Sequence, residues 1–176
     1  MQQNKNILLT GTAGFIGSNF VPYFLEKYPE YNLINLDLLT YAGTLDNLKE
    51  CEQNLRYKFI KGDICNRELV EFIFSEYDIT GVIHFAAESH VDNSIKNPGV
   101  FIRTNVNGTF TLIDVAYKYW MNKPFEYKIN YENSDFIIYQ LMKCMELLIL
   151  IQMIYLQKLH HMLQTLHIVL QKHLAI

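Results

Sequence analysis

Along the first 120 residues, apolar positions arrive in two alternating rhythms. In "NILLTG", "YNLINLD", "YKFIKGD" and "GVIHFAA" they are nearly continuous over a short run that ends at glycine, aspartate or paired alanines. Runs of that kind predict strands buried on both faces. Between them, "FIGSNFVPYFLEKY", the shorter "LDNLKECEQN" and "RELVEFIFSEY" space their apolar residues as helices do. Pro22 reads as lying near the first turns of its helix, where proline does less damage. The stretch "NPGVFIRTNVNGTFTLIDVAYKYW" predicts one long helix with Pro98 and Gly99 at its mouth. Strands alternating with helices build βαβ units, so the predicted fold is α/β, a doubly wound parallel sheet of Rossmann-like form.

The rhythm then fails. No proline follows Pro124 and no glycine follows Gly108, so residues that end elements are missing from the last part of the chain. Acidic residues thin to Glu126, Glu132, Asp135 and Glu146, while Leu, Ile, Gln and His accumulate. A sheet cut after four strands would leave an apolar edge uncovered.

Composition narrows the partners. A formal charge of -3 with 19% charged residues gives no electrostatic reason to expect nucleic acid or an anionic membrane. Cys51, Cys65 and Cys144 are odd in number and far apart, which points to a reducing compartment. The opening "MQQNKNILLTG" lacks the charged and apolar regions of a signal peptide, and "LLILIQMIYL" is shorter than the roughly 20 residues a bilayer span needs. A cytoplasmic location is expected. His160 and His161 are adjacent with no carboxylate or Cys partner after them, so no metal site is expected.

The chemistry gathers at strand ends. In "LLTGTAGFIGS", Gly11, Gly14 and Gly17 follow the first strand directly and open the first helix. Gly11 allows a tight turn, Gly14 lets the backbone approach a pyrophosphate, and Gly17 lets helix and strand pack closely. The helix N-terminus offers free N–H groups and partial positive charge to the phosphates. Asp37 ends the second strand, where a carboxylate accepts from a ribose diol and repels a 2′-phosphate, favouring NAD over NADP. Asp63 and Ile64 close the third strand. After the fourth, Ala86 and Ala87 leave room for a cofactor, and Glu88, Ser89, His90 and Asp92 cluster in the crevice where open α/β sheets bind ligands.

Taken together, "TAGFIGSNF", "LDLLTYAGTLDNL", "GDI", "HFAAESHVDNSI" and "FIRTNVNGTFTLIDVA" resemble the N-terminal half of the dTDP-glucose 4,6-dehydratase family, within the extended short-chain dehydrogenase/reductase superfamily. The resemblance runs from residue 4 to about 127, well under half of the family's usual length. It implies that Phe15 and Ile16 lie along the NAD pyrophosphate and that Asp37, Leu38, Leu39 and Thr40 hold the adenosine ribose. By the same resemblance Asp63 and Ile64 flank the adenine, and Phe85, Ala86, Ala87, Glu88 and Ser89 line the nicotinamide side. Ser89 also touches the sugar nucleotide, and Thr104 meets the cofactor from the long helix. The implied reaction is an NAD-dependent lyase cycle on dTDP-glucose: C4 is oxidised, water leaves across C5 and C6, and the hydride returns at C6. The product, dTDP-4-keto-6-deoxyglucose, serves deoxysugar and lipopolysaccharide precursor synthesis.

The residues that perform it in the family are a Tyr-x-x-x-Lys pair and a Thr-Asp-Glu run, and neither is present where expected. Tyr119 and Lys123 have the spacing, but they lie at a helix end before the motif's place. No catalytic residue is therefore assigned. Residues 1–127 read as an incomplete NAD-binding Rossmann-like domain and 128–176 as an aberrant tail whose Leu and Ile content favours helix. The helix bearing Tyr and Lys also builds the family's homodimer, so that interface is expected to be lost.

The genetic code suggests why. Joining the last base of each codon to the first two of the next, Met142-Lys143 forces Glu and Met145-Glu146 forces Gly. Between them the neighbouring frame reads Val or Met, then Tyr or His, and Tyr139 to Met142 can supply Ser-Thr-Asp in front. The result is Ser-Thr-Asp-Glu-Val-Tyr-Gly. In the same frame, Leu166 to His173 can read Pro-Tyr-Ser-Ala-Ser-Lys-Ala, with Tyr and Lys four apart. These readings predict a one-base slip between about Trp120 and Ser134, with everything beyond Ser134 out of frame. Two alternatives stand beside it: a non-catalytic NAD- or nucleotide-sugar-binding module whose tail is a genuine partner helix, and a fragment of a sugar-nucleotide 4-epimerase relative.

Overall fold

The computed structural model describes residues 5–139. The chain runs through β1 (Lys5–Thr10), α1 (Phe15–Lys27), β2 (Tyr31–Asp37), a 3-10 helix (Leu45–Cys51), β3 (Tyr57–Lys61), α2 (Arg67–Tyr77) and β4 (Ile79–His84). Helical backbone follows as α3 (Val91–Lys96), α4 (Pro98–Phe101), a π-helical stretch (Ile102–Gly108) and α5 (Thr109–Trp120). A small antiparallel ribbon, β5 (Met121–Lys123) with β6 (Glu126–Tyr127), leads to β7 (Asp135–Ile138).

Five strands pair in parallel in the order β3-β2-β1-β4-β7. The chain steps outward from β1 to β3 and then crosses to the other side of β1 with β4, so the topological switch point lies between β1 and β4. Two cores flank the sheet, as the two-sided burial of its strands requires. Leu8, Ile34, Leu36 and Val82 meet α2 and α5 through Val70, Phe74, Leu112 and Trp120. Ile7, Leu9, Leu33 and Ile83 meet α1 and the 3-10 helix through Val21, Phe24, Leu25 and Leu48. Leu8, Leu9 and Leu33 are wholly buried, each contributing about 2 kcal/mol by removal from water.

Local chemistry sets the element ends. The Asn66 side chain accepts from Leu69 N–H and starts α2, and Asp78 takes a left-handed conformation (φ 47°) that stops it. Beyond α5, Trp120 Nε1 donates to Ile79 O at 2.7 Å, and the Tyr119 and Tyr131 hydroxyls both donate to Asp78 Oδ1. These bonds fasten the segment up to residue 131 onto the α2–β4 corner.

The structure corrects three expectations. The long helix is not continuous: a separate α3 precedes it, because Asn97, standing before Pro98, leaves helical geometry (φ -143°, ψ 70°), and the middle of the remainder is π-helical. Pro22 lies in the second half of α1 rather than near its first turns, and it is exposed. The sheet also does not stop at four strands. Asp135–Ile138, expected to belong to a helix-prone tail, pairs with Gly81–His84 as a fifth strand and covers the edge of β4. Phe136, Ile137 and Ile138 are aromatic or β-branched, and a short run of that kind suits an edge that offers unpaired N–H and C=O groups. The tail from residue 140 on, with Cys144, the histidines, the second re-read motif and all of the first beyond Tyr139, lies outside the described residues.

Candidate functional site

The site forms where β1 hands over to α1. Gly11 has φ +71°, and a Cβ there would sit 2.4 Å from Ala86 Cα, so both its turn and its approach to the chain after β4 demand glycine. Gly17 is equally constrained: a Cβ would lie 2.3 Å from Thr12 Cα. Gly14 differs. Its φ is -77°, and a Cβ there would make only ordinary contact, 3.4 Å from Gly11 O. Packing does not require that glycine, and its bareness serves whatever approaches from the cavity. It also stands at the start of α1, which has no side-chain cap and no acidic residue in its first turn. That helix end keeps its positive partial charge for a ligand.

The cavity, about 340 Å³, runs across the carboxyl ends of the strands. Gly11, Gly14, Phe15, Ile16 and Gly17 form its floor at α1. Asp37, at the end of β2, lines it while buried to 9% exposure, and its carboxylate is fixed by two backbone donors: Ala13 N to Oδ2 at 2.9 Å and Leu39 N to Oδ1 at 2.8 Å. Each oxygen retains capacity to accept a further hydrogen bond. Leu38 and Thr40 line the same wall. Leu39 does not. It adopts φ 55°, and its half-buried side chain packs against the core on the α1 face.

At the β3 end, Asp63 and Ile64 line the cavity beside Gly62. Cys65 N donates to Asp63 Oδ1 at 2.8 Å, and Arg103 Nη2 donates to Asp63 Oδ2 at 2.7 Å. At the β4 end the wall is Phe85, Ala86, Ala87, Glu88 and Ser89, with Thr104 reaching in from the π-helical stretch. The Asn105 side chain clamps this wall: Glu88 N donates to its Oδ1 at 2.8 Å, and its Nδ2 donates to Glu88 O at 2.9 Å. His90 and Asp92, expected in the same crevice, do not line it. The His90 ring sits edge-on to Tyr41, and Asp92 occupies the first turn of α3.

Beneath the wall, His84 is wholly enclosed, with Nδ1 2.6 Å from Thr10 Oγ1 and Nε2 2.9 Å from Thr109 Oγ1. Burial pushes its imidazole down to about 4, so it is neutral near pH 7, one ring nitrogen donating and the other accepting. The network ties β1, β4 and α5 together under the cavity. Tyr119 and Lys123 are engaged elsewhere: the tyrosine bonds Asp78 and the lysine pairs with Glu126 at 2.9 Å.

Every residue expected at a cofactor except Leu39 thus meets in one cavity. Sequence reasoning missed Leu36, Ala42, Gly43, Gly62 and Tyr139 as lining residues, and Asn105, Arg103 and His84 as supports. Ala42, Gly43 and Gly62 stood inside the quoted motifs without an assigned role. The partners of Asn105 and Arg103 are distant in sequence, and no local pattern announces them.

The model of the GDP-mannose 4,6 dehydratase family matches residues 8–131. A dTDP-glucose 4,6-dehydratase of Neisseria gonorrhoeae is 48% identical over 122 residues, covering 69% of this chain and 35% of that protein. The structure of a dTDP-glucose 4,6-dehydratase from Bacillus anthracis in complex with NAD superposes with a TM-score of 0.58 at 48% identity, covering 65% of this chain and 34% of the other. A UDP-glucose 4-epimerase from Thermotoga maritima with UDP-glucose gives a TM-score of 0.57 at 36% identity, over 65% of this chain and 34% of its own. The chain spans about a third of the length of the curated relatives it matches.

Proposed function

Because the chain belongs to the GDP-mannose 4,6 dehydratase family, we propose that its described part is an NAD-binding half-site of a dTDP-glucose 4,6-dehydratase, and that this polypeptide does not itself complete the dehydration. The observation that carries the cofactor reading is Gly14: a bare, unconstrained glycine at the uncapped mouth of α1, facing a cavity whose next wall is a fixed acidic strand end. The diphosphate would lie against the N–H groups at Gly14, Phe15 and Ile16, and the adenosine ribose against Asp37. The adenine would lie by Asp63 and Ile64, and the nicotinamide along Phe85 to Ser89, with Thr104 opposite. NAD would supply the reversible oxidation of the sugar, while these residues bind and orient it. Ser89 would contact the sugar nucleotide, and the cytoplasm suits a chain whose Cys51 and Cys65 are free thiols.

The chemical groups that should complete the site are absent from the frame as written. Tyr139 lines the cavity where the neighbouring frame begins its Ser-Thr-Asp-Glu, and its ring packs on Phe85. The slip is read between about Trp120 and Ser134, and the later part of that interval is favoured. In support, the family match reaches 131, and Tyr131 is bonded into the corner at Asp78. The 48% identity to dehydratases against 36% to an epimerase favours the dehydratase reading over the epimerase one.

Calorimetric titration of the purified 176-residue chain with NAD, followed by incubation with dTDP-glucose and NMR of the sugar, tests both halves. Binding of NAD without formation of the 4-keto-6-deoxy product is expected. Absence of binding defeats the cofactor reading, and product formation defeats the inactivity. The DNA across codons 120–134 decides the slip: a neighbouring frame with no open continuation beyond them rules it out.

A further inference from the structure

We propose that Arg103 is a positioning residue for Asp63, holding that carboxylate as a fixed acceptor that selects an adenine base through its 6-amino group; the inference rests on the dinucleotide reading above. Topology places the base. β3 lies beyond β2 on the side away from β4. A dinucleotide with its diphosphate at α1 and its ribose at Asp37 therefore extends its base over the end of β3, where Gly62, Asp63 and Ile64 form the wall.

Asp63 is held there at both oxygens, by Cys65 N at 2.8 Å and by Arg103 Nη2 at 2.7 Å. Carboxylate oxygens accept more than one hydrogen bond, so both stay available to a ligand. An ionised carboxylate only accepts. It matches the amino group at C6 of adenine and opposes the oxo group at C6 of hypoxanthine.

Stability is a poor account of the Arg103–Asp63 pair. The arginine side chain is 66% exposed, and ion pairs in such surroundings contribute little. Geometry is a better one. Arg103 is tied to the loop after β3 twice, by its guanidinium to Asp63 and by its carbonyl, which accepts from the Cys65 thiol at 3.2 Å. The neighbouring Thr104 lines the cavity, so one short stretch fixes the acceptor and forms part of the binding wall. Without Arg103, Asp63 is held at Oδ1 alone and can swing to solvent.

The test titrates the full chain with NAD and with nicotinamide hypoxanthine dinucleotide, which differ in the base alone: a 6-amino group in the first, a 6-oxo group with a hydrogen on N1 in the second. The wild type should prefer NAD by about tenfold, the scale of one charge-assisted hydrogen bond at a half-open site. Arg103→Ala should bring the ratio to about two or less by weakening NAD while sparing the hypoxanthine form. Arg103→Gln, which keeps the stem without the charge, should do the same if the alanine variant fails to fold. Arg103→Lys should retain most of the preference. A residue that merely braces the fold would weaken both dinucleotides equally, and that result overturns the proposal. So does an unchanged ratio in the alanine and glutamine variants, or a wild type that does not discriminate. A folded wild type that binds neither dinucleotide defeats the NAD reading itself, a separate and recognisable outcome.

Discussion

β4 has a neighbour on each side, and the two hold their places for different reasons. β1 pairs with it along Asn6–Thr10 and is buried over its last four positions. It leads into the glycine turn, donates a threonine to the His84 network and packs on helices at both faces. β7 pairs with four residues of β4, is exposed at Asp135 and has no fully buried position. Register, packing and turn chemistry agree at the centre of the sheet, whereas the edge asks only for a short β-prone run. Occupying a strand position is therefore strong evidence of design at β1 and weak evidence at β7.

The sharpest test of the contrast is Gly17→Val. With Thr12 Cα 2.3 Å from the first added carbon, the variant should lose about 4 kcal/mol or fail to fold, read by urea unfolding. A near-normal midpoint would mean the centre is not over-determined.

Next comes acid. The folded-state value of His84, about 4, lies below its ordinary 6.5 because burial disfavours the cation. Above pH 6.5 neither folded nor unfolded chain binds this proton, and stability is flat. Between 6.5 and about 4 the unfolded chain takes it up alone, so stability falls as pH falls, by about 3 kcal/mol once the window is crossed. Urea unfolding from pH 7 to 4.5 should show the slope in the wild type and a reduced slope in His84→Gln.

At the edge, Phe136→Ala should cost only about 1 kcal/mol, since its ring is half-buried on the α2–α5 face. A loss as large as that of a central leucine would promote β7 to an integral strand.

The smallest effect on stability is the most informative about function. Gly14→Ala, with ordinary contacts at the new carbon, should shift stability by less than about 0.5 kcal/mol yet weaken NAD binding about tenfold. Equal losses at Gly14 and Gly17 would erase the distinction between a ligand glycine and a packing glycine.

Much of the centre was legible because its chemistry is local. The three glycines and Asp37 lie within the first 37 residues, the strand–helix alternation continues through β4, and each needs only its near neighbours to be understood. That the Leu39 side chain leaves the cavity wall was not legible, because one residue of positive φ reverses a side chain inside a continuous motif. The break before Pro98 was announced by the proline but read as a helix mouth without a helix before it. Asn105, Arg103 and His84 depend on partners 17, 40 and 74 residues away, a distance that no periodicity spans. β7 escaped because its β-prone run is only four residues long and leads into a Leu- and Ile-rich stretch that reads as helix, so only an open edge decides otherwise.

The π-helical stretch acts as a phase shifter. Within it, the helix must present Thr104 and Asn105 to the cavity rim; downstream it must present Leu112, Val115 and Ala116 to the sheet. The wider turn sets the angular offset between those two schedules. Deleting a single residue between Ile102 and Gly108 would rotate one set away from its target, so this part of the chain tolerates substitution far better than any change in length.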